Sequence, residues 1–361
     1  MSASFQELGG WPGVLRPLLA GEDLSADQAA AALNEVFAGE AKPSQLAAFL
    51  VALRMKGETV EEMSGLVGAM LAAAQRVELP VGCGAVDTCG TGGGPSRRLA
   101  AFNVSTLAGF VIAGAGAPVC KHGNRAATST CGSADLLEAL GVRVDLGPAG
   151  VARCVSEAGF GFCFAPRFHP AMRHAGPTRR EIGVPTVFNF LGPLANPAGV
   201  RRQVMGVSDP VMAEKMVGVL RARGAERALV VYGHDGLDEI TTTTTSTVLE
   251  LSDGGVRASV VDPADFGIES PLPQAIHGGD PQANLGLARR VLDGEAGAHR
   301  DLVLLNAAAG LVAAGVTDGL ADGYEAAAAA VDGGAAAEVV ERVVAVSRAA
   351  AAEEAEAVPA G

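Results

Sequence analysis

The 361-residue sequence predicts an α/β protein in which a helical N-terminal region precedes a parallel or mixed sheet covered by helices. Three observations predict it. Apolar residues recur at helical spacing through residues 1–80, and from Pro80 onward short β-type runs alternate with glycine turns and helical segments. The length, with 48 glycines, suits two domains or one large α/β unit with many tight turns.

In chain order, Ser25 with Gln28 reads as a capping box, and Leu46, Phe49, Leu50 and Leu53 follow as one helical stripe. Thr59 with Glu62 makes a second box ahead of Val60, Met63, Leu66, Val67 and Met70. So small a helix set has too little interior for every stripe, so part of its surface is expected to pack on the next domain or a second subunit. Beyond Pro80, β-type runs fall at 85–88, 117–120, 228–232 and 248–251, with a helical segment at 134–140. Residues 171–196 are charged, punctuated by proline and helix-like, and return the chain to the helical region. The tail from Ala321 is rich in Ala and Glu with two glycine breaks, a helical composition expected to end in a frayed acidic terminus.

Composition narrows the function. Lys plus Arg number 27 against 40 Asp plus Glu, a net charge of −13 that repels nucleic acid and anionic membrane surfaces. Hydrophobic residues at 49% and charged residues at 19% fit a globular enzyme. The six cysteines hold no Cys-x-x-Cys pair and read as free thiols in a reducing cytoplasm. The N-terminus lacks the pattern of a signal peptide, and the apolar run 302–316, interrupted by Asn306, falls short of the ~20 residues of a membrane helix. A cytoplasmic protein without membrane or nucleic-acid partners is expected.

Four segments carry chemistry. The strand-like 86–90 runs into Thr91, Gly92, Gly93 and Gly94, and Asn103, Val104, Ser105 and Thr106 then open an apolar helix. Such a turn offers N–H groups and a helix N-terminus to an anion, or is a plain turn with Ser105 or Thr106 as cap. It matches neither Gly-x-Gly-x-x-Gly nor a Walker loop. Next, Lys121, His122, Gly123, Asn124 and Arg125, followed by Thr128, Ser129, Thr130 and Ser133, gather cations, an imidazole and hydroxyls suited to a polyanion bearing sugar hydroxyls. A solvated charged loop is the plainer alternative. Third, Arg179 and Arg180 precede 189–197, and either grip a carboxylate or are helix-surface charges. Fourth, Asp235, Asp238 and Glu239 cluster after a β-type run, where oxygen ligands suit Mg²⁺ or one carboxylate caps a helix. The threonine run 241–245 is given no catalytic role.

Taken in order, the glycine turn, 103–106, 121–125, 132–135, Arg179, 189–197 and 233–239 make the sequence resemble the anthranilate phosphoribosyltransferases over nearly its whole length. The resemblance implies a small all-helical domain and a larger α/β domain with a mostly parallel central sheet, the donor held between them. It also implies a homodimer formed through the helical domain. The helical domain is expected at 1–80 plus about 171–206, and the α/β domain at 81–170 plus about 207–361. The implied reaction moves the phosphoribosyl group of phosphoribosyl pyrophosphate to the amine of anthranilate, with inversion and release of pyrophosphate.

Position by position, the resemblance implies donor contacts at Gly90, Thr91, Gly93, Gly94, Asn103, Val104, Ser105, Thr106, Lys121, Gly123, Asn124, Arg125, Ser129 and Ser133. It implies anthranilate contacts at Gly90, His122, Asn124 and Arg179, and Mg²⁺ at Ser105, Asp238 and Glu239. His122 is the candidate proton acceptor, or a packing histidine. The sequence departs from the family pattern at Gly94, where an aspartate is usual, at Ala101, and in a longer 95–100 loop with Arg97 and Arg98. These changes are expected to shift the pyrophosphate subsite from metal-mediated to cationic neutralisation. A transferase for another aminobenzoate and a non-catalytic nucleic-acid-binding homologue are the rival readings. The net charge of −13 and the retained acidic pair speak against the latter.

Overall fold

Both capping boxes form. Ser25 and Thr59 accept the N–H of Gln28 and Glu62 at the starts of helices Ala26–Ala38 and Val60–Ala72. In this computed structural model, which describes residues 4–92, 102–126 and 130–357, Glu62 also reaches beyond its own cap. Its Oε2 accepts from Thr59 N at 2.8 Å and its Oε1 from Leu24 N at 2.9 Å, so one side chain both starts a helix and ties it to the preceding loop. Helices Gly10–Leu19 and Pro43–Lys56 complete the N-terminal group, and the stripe Leu46, Phe49, Leu50 and Leu53 is buried.

The strands are β1 (Val86–Gly90), β2 (Val119–Gly123), β3 (Phe160–Phe164), β4 (Arg202–Gly206), β5 (Arg227–Gly233), β6 (Ser246–Ser252) and β7 (Gly255–Val261). Among the described residues they form one sheet in the order β3-β2-β1-β4-β5-β6-β7. The pairings from β3 to β5 are parallel, and β6 and β7 join antiparallel. The chain builds outward from β1 to β3 and then returns to place β4 on the other side of β1. This reversal opens a crevice at the carboxyl ends of β1 and β4, where ligands of open parallel sheets bind.

β4 corrects the expected boundary. A helical segment reaching residue 206 would include Arg202–Gly206, which instead pairs with both β1 and β5. The helical return ends earlier, with helices Gly176–Ile182 and Phe188–Leu194 and the 3₁₀ turn Pro170–His174, all packed on the N-terminal helices. As the small helix set requires, its core is not separate. Leu50, Met63 and Val67 share one apolar cluster with Met205, Val230 and Leu251 of the sheet, and Val60 packs on Gly218 of helix Pro210–Ala222. Each such side chain contributes roughly 1.5–3 kcal/mol on burial, so the two regions stabilise one another.

The opposite face of the sheet carries helices Val104–Gly114, Ala298–Ala314 and Leu320–Asp332. Two expectations for the tail are corrected. Gly323 does not break a helix but lies inside Leu320–Asp332, where its missing Cβ lets the backbone approach Ala308. The acidic end of helix Ala335–Ala357 is docked rather than frayed, since Glu354 accepts the Gly147 N–H at 2.9 Å and Glu353 pairs with Arg153. Among the described residues no helix is long and apolar enough to cross a membrane.

Candidate active site at the carboxyl ends of the parallel strands

Gly90 and Gly206 end β1 and β4 as partners in register. Both positions need glycine because the 237–240 segment lies across them. A Cβ on Gly206 would overlap the carbonyl oxygen of Asp238, and one on Gly90 would collide with its Oδ2. Thr91 N donates to Gly206 O at 2.9 Å, and Gly92, at φ 61°, donates its N–H to Asp238 Oδ2 at 2.7 Å. The glycine turn thus meets a negative charge, the chain's own carboxylate.

Asp238 and Glu239 are adjacent and, among the described residues, have Lys121 as the cation that acts on Glu239. Burial pushes the Asp238 carboxyl up, against the Gly92 hydrogen bond. Burial raises Glu239 well above the ordinary carboxylate range, and repulsion by Asp238 adds to it, while Lys121 and a hydrogen bond from Ser105 N oppose. Two carboxylates in this state favour a cation. Among the described residues no group of three His, Cys, Asp or Glu forms a closed metal cage. A pair of carboxylates with neighbouring hydroxyls fits Mg²⁺, which completes its shell with water and substrate phosphates.

Lys121 lies 1% exposed on β2, and its Nζ donates to Ser105 Oγ at 3.1 Å and to Thr88 O. Thr88 Oγ1 donates to Ser105 O at 2.9 Å, so β1, β2 and the first turn of helix Val104–Gly114 are joined at Ser105. Val104 and Thr106 are buried, and among the described residues Thr106 Oγ1 and Thr91 Oγ1 have no partner. Neither Ser105 nor Thr106 caps the helix; Asn103 holds the N-cap position without a side-chain cap bond. The Asn103 amide turns away instead, donating to Cys131 O at 3.1 Å and accepting from Asn284 Nδ2 at 3.1 Å.

Gly123 ends β2 where a Cβ would press on Phe162 and on Ser133, the first residue of helix Ser133–Leu140. Asn124 is exposed, with its Oδ1 taken by Arg125 N at 2.7 Å. The Arg125 guanidinium is held by Glu138 and Asp135 and lies 5.4 Å from the Phe164 ring centroid. Its charge is met within the chain, closer to the plain charged-loop alternative than to a free phosphate grip. Gly93, Gly94, Ser129, the 95–100 loop with Arg97 and Arg98, and Ala101 lie outside the described residues.

Neighbouring strand residues point to opposite faces, and His122 leaves Lys121 for the other side of the sheet. Its Nδ1–H donates to Gly192 O at 3.1 Å, its ring centre lies 5.0 Å from that of His169, and among the described residues Nε2 has no partner. Burial pushes its pKa down to about 3, with His169 adding to the shift, so the ring is neutral and weakly basic. Gly192 sits on the helix that also carries Phe188, and over Phe188 lies the Arg179 guanidinium, 5.0 Å from the ring centroid. Phe188 and Gly192 are one helical turn apart, about 6 Å of rise. Burial lowers the pKa of Arg179, and among the described residues it has no ion-pair partner, unlike a helix-surface charge.

Below His122, Asp87 is fully buried and accepts from His122 N at 3.1 Å and Asn196 Nδ2 at 2.9 Å, with Gln203 Nε2 3.5 Å away. Burial raises its pKa to about 6 against the pull of Lys121 and these hydrogen bonds. Asp235 stands apart from the acidic pair. Its Oδ2 accepts from Thr241 and Thr243, which gives the threonine run a structural role. Sequence reasoning missed Phe188, Gly206, Gln203 and Asn284 and gave Asp87 no role. For Asp87 the available signal was a carboxylate inside a β-type run; Phe188, Gly206, Gln203 and Asn284 carried none.

Residues 83–337 match the model of the glycosyl transferase family a/b domain, and residues 12–74 match that family's helical bundle domain. Anthranilate phosphoribosyltransferase of Salinispora arenicola is 51% identical over 346 residues, covering 94% of this chain and 97% of that protein. The chain belongs to the anthranilate phosphoribosyltransferase family. The family enzyme of Azorhizobium caulinodans is 49% identical over 321 residues, 88% of this chain and 92% of its own. The crystal structure of anthranilate phosphoribosyltransferase from Thermus thermophilus superposes with a TM-score of 0.87 at 42% identity, covering 93% of this chain and 99% of that one. The Saccharomyces cerevisiae family enzyme in complex with PRPP and Mg gives a TM-score of 0.85 at 26% identity, over 94% and 98% of the two chains.

Proposed function

We propose that the chain transfers the phosphoribosyl group of phosphoribosyl pyrophosphate to the amine of anthranilate, releasing pyrophosphate. The observation that carries this reading is a division of labour around β1 and β2. Carboxylates in mutual repulsion, a buried lysine and a glycine turn sit at the strand ends, and a part-buried arginine without an ion partner among the described residues sits on the helical return. The first set suits a donor carrying phosphates and Mg²⁺, the second an aromatic carboxylate.

Asp238 and Glu239, with the Ser105 hydroxyl nearby, would hold Mg²⁺, which when bound supplies positive charge to the leaving diphosphate. Lys121 places a fixed cation at the same strand ends, and the Gly92 N–H, spent on Asp238 Oδ2, fixes that carboxylate for the metal. Arg179 takes the anthranilate carboxylate in its guanidinium fork, which lies over the Phe188 ring. The aromatic amine is neutral at physiological pH, so attack on the ribose carbon needs no strong base. His122, held neutral, offers Nε2 as an acceptor and does not compete as a cation. Positioning and charge stabilisation carry the rate.

We also infer that the helical region forms a homodimer, since Leu19, Val51 and Met55 are exposed on its helices, Leu19 and Met55 to 79% and 84%. A cytoplasmic location goes with this reading, where contacting thiols such as Cys120 and Cys163 stay reduced. Anthranilate fluorescence, followed with donor and Mg²⁺ against a panel of other aminobenzoates, tests the assignment. Anthranilate should be consumed fastest, with pyrophosphate released in step. Arg179→Ala should raise the anthranilate KM at least tenfold and leave the donor KM within twofold. A wild-type protein that consumes no anthranilate overturns the reading.

A further inference from the structure

The helix Ala298–Ala314 is buried at every residue from Leu302 to Ala314, and Asn306 is the polar side chain in that stretch. At 2% exposure, Asn306 is not idle. Its Oδ1 accepts Ile240 N at 2.9 Å, and its Nδ2 donates to Ile240 O and to Leu302 O, each at 2.9 Å. The side-chain amide thus reads the backbone of Ile240 as a neighbouring strand would, fixing the peptide planes on both sides of the residue that follows Glu239.

We propose that Asn306 is a positioning residue that sets the Asp238–Glu239 carboxylates relative to Ser105 and so governs donor binding. Three observations support it. First, the remainder of the loop is secured without Asn306: Thr241 N donates to Ser246 Oγ at 2.9 Å, Asp235 holds Thr241 and Thr243, and Gly233 N bonds to Leu237 O at 2.8 Å. What Asn306 adds is the orientation of the peptides beside Glu239. Second, Gly310, one turn further along the same helix, lacks a Cβ where one would overlap Ile112, so this helix lies hard against Val104–Gly114, whose first turn supplies Ser105. One helix therefore holds the segment that carries the carboxylates and packs on the helix whose first turn supplies Ser105. Third, leucine at 306 would fill the apolar packing yet leave the buried N–H and C=O of Ile240 unpaired, so it is this backbone and not the packing that calls for an amide.

The inference rests on the donor reading above, and the test separates the two. Wild type, Asn306→Leu and Asn306→Ser are compared by calorimetric binding of phosphoribosyl pyrophosphate with Mg²⁺, by thermal midpoint, and by KM for each substrate. Amide exchange at residue 240 is measured in the unliganded proteins. Donor affinity is expected to fall about tenfold in both variants and donor KM to rise in parallel, with anthranilate KM within twofold, while the midpoint falls only modestly for the unpaired Ile240 backbone and both variants stay folded at the assay temperature. The Ile240 amide of the wild type is expected to exchange as slowly as the core of helix Ala298–Ala314, and at least tenfold faster in Asn306→Leu. The proposal is overturned if Asn306→Leu binds donor within twofold of wild type. It is also overturned if donor and anthranilate KM rise together as the midpoint falls, or if the wild-type Ile240 amide exchanges rapidly. A wild type that binds no donor would instead refute the donor reading.

Discussion

The two faces of β1 and β2 each bury charge, and they do so differently. On one face Asp87 is surrounded by neutral donors, the His122 N–H and the amides of Asn196 and Gln203. On the other, Asp238 and Glu239 face each other and Lys121, with too few donors to offset their repulsion. A buried carboxylate wrapped in amides ties strands together, whereas a pair left in mutual repulsion stores a demand for a cation. The first arrangement reads as structure and the second as function, and the contrast can be broken in three ways.

The largest effect should come from Glu239→Gln. Turnover is expected to fall between a hundred- and a thousandfold, while the thermal midpoint at pH 8 rises, because the amide removes a charge the fold disfavours. Steady-state kinetics beside a melting curve check both, and a midpoint that drops with activity would make Glu239 structural like Asp87.

The second effect is in the pH dependence of stability. Asp87, raised to about 6 from 3.8, binds more proton folded than unfolded in that window, so its contribution declines as pH rises from about 4 to 6. His122, lowered to about 3 from 6.5, has the opposite sign, and its contribution is lost as pH falls below 6.5. In wild type the two oppose. Asp87→Asn should leave the His122 slope exposed, so that, beyond a constant offset from altered hydrogen bonds, the variant loses stability relative to wild type on going from pH 6 to 4. Denaturant unfolding across that range measures it, and parallel curves would show that Asp87 does not titrate there.

The smallest effect should be that of Arg125→Ala. Its half-exposed guanidinium is held by Glu138 and Asp135, so stability should change by about 0.5 kcal/mol or less and the donor KM by less than threefold. A tenfold rise in donor KM would mean that Arg125 leaves those carboxylates for the substrate.

Much of the site was legible because its residues come in short runs. Gly90 to Gly92, Lys121 to Arg125 and Asp238 with Glu239 each carry their chemistry within a few positions, and strand ends place such runs together. What stayed hidden needs the strand order. Asp87, Asn196 and Gln203 meet because β4 returns beside β1, and a polar Gln203 within a five-residue strand disguised that strand as part of the helical return. Asn284 shows in sequence beside a second amide, Gln282, and Asn306 as one amide among apolar neighbours. The latter pattern marks a buried hydrogen bond but not its partner, and the two partners lie 181 and 66 residues away respectively. His122 sits in a motif rich in ligand chemistry, yet strand alternation alone turns it from Lys121.

The unequal crowding over Gly90 and Gly206 bears on how the enzyme is re-engineered. At Gly90 an added methyl group meets the tip of the Asp238 side chain, which can rotate, whereas at Gly206 it meets main chain, which cannot without shifting the whole 237–240 segment. Combinatorial libraries aimed at new acceptors should leave both as glycine, since diversity at the first would swing Asp238 off its metal-holding place and diversity at the second would displace the segment itself.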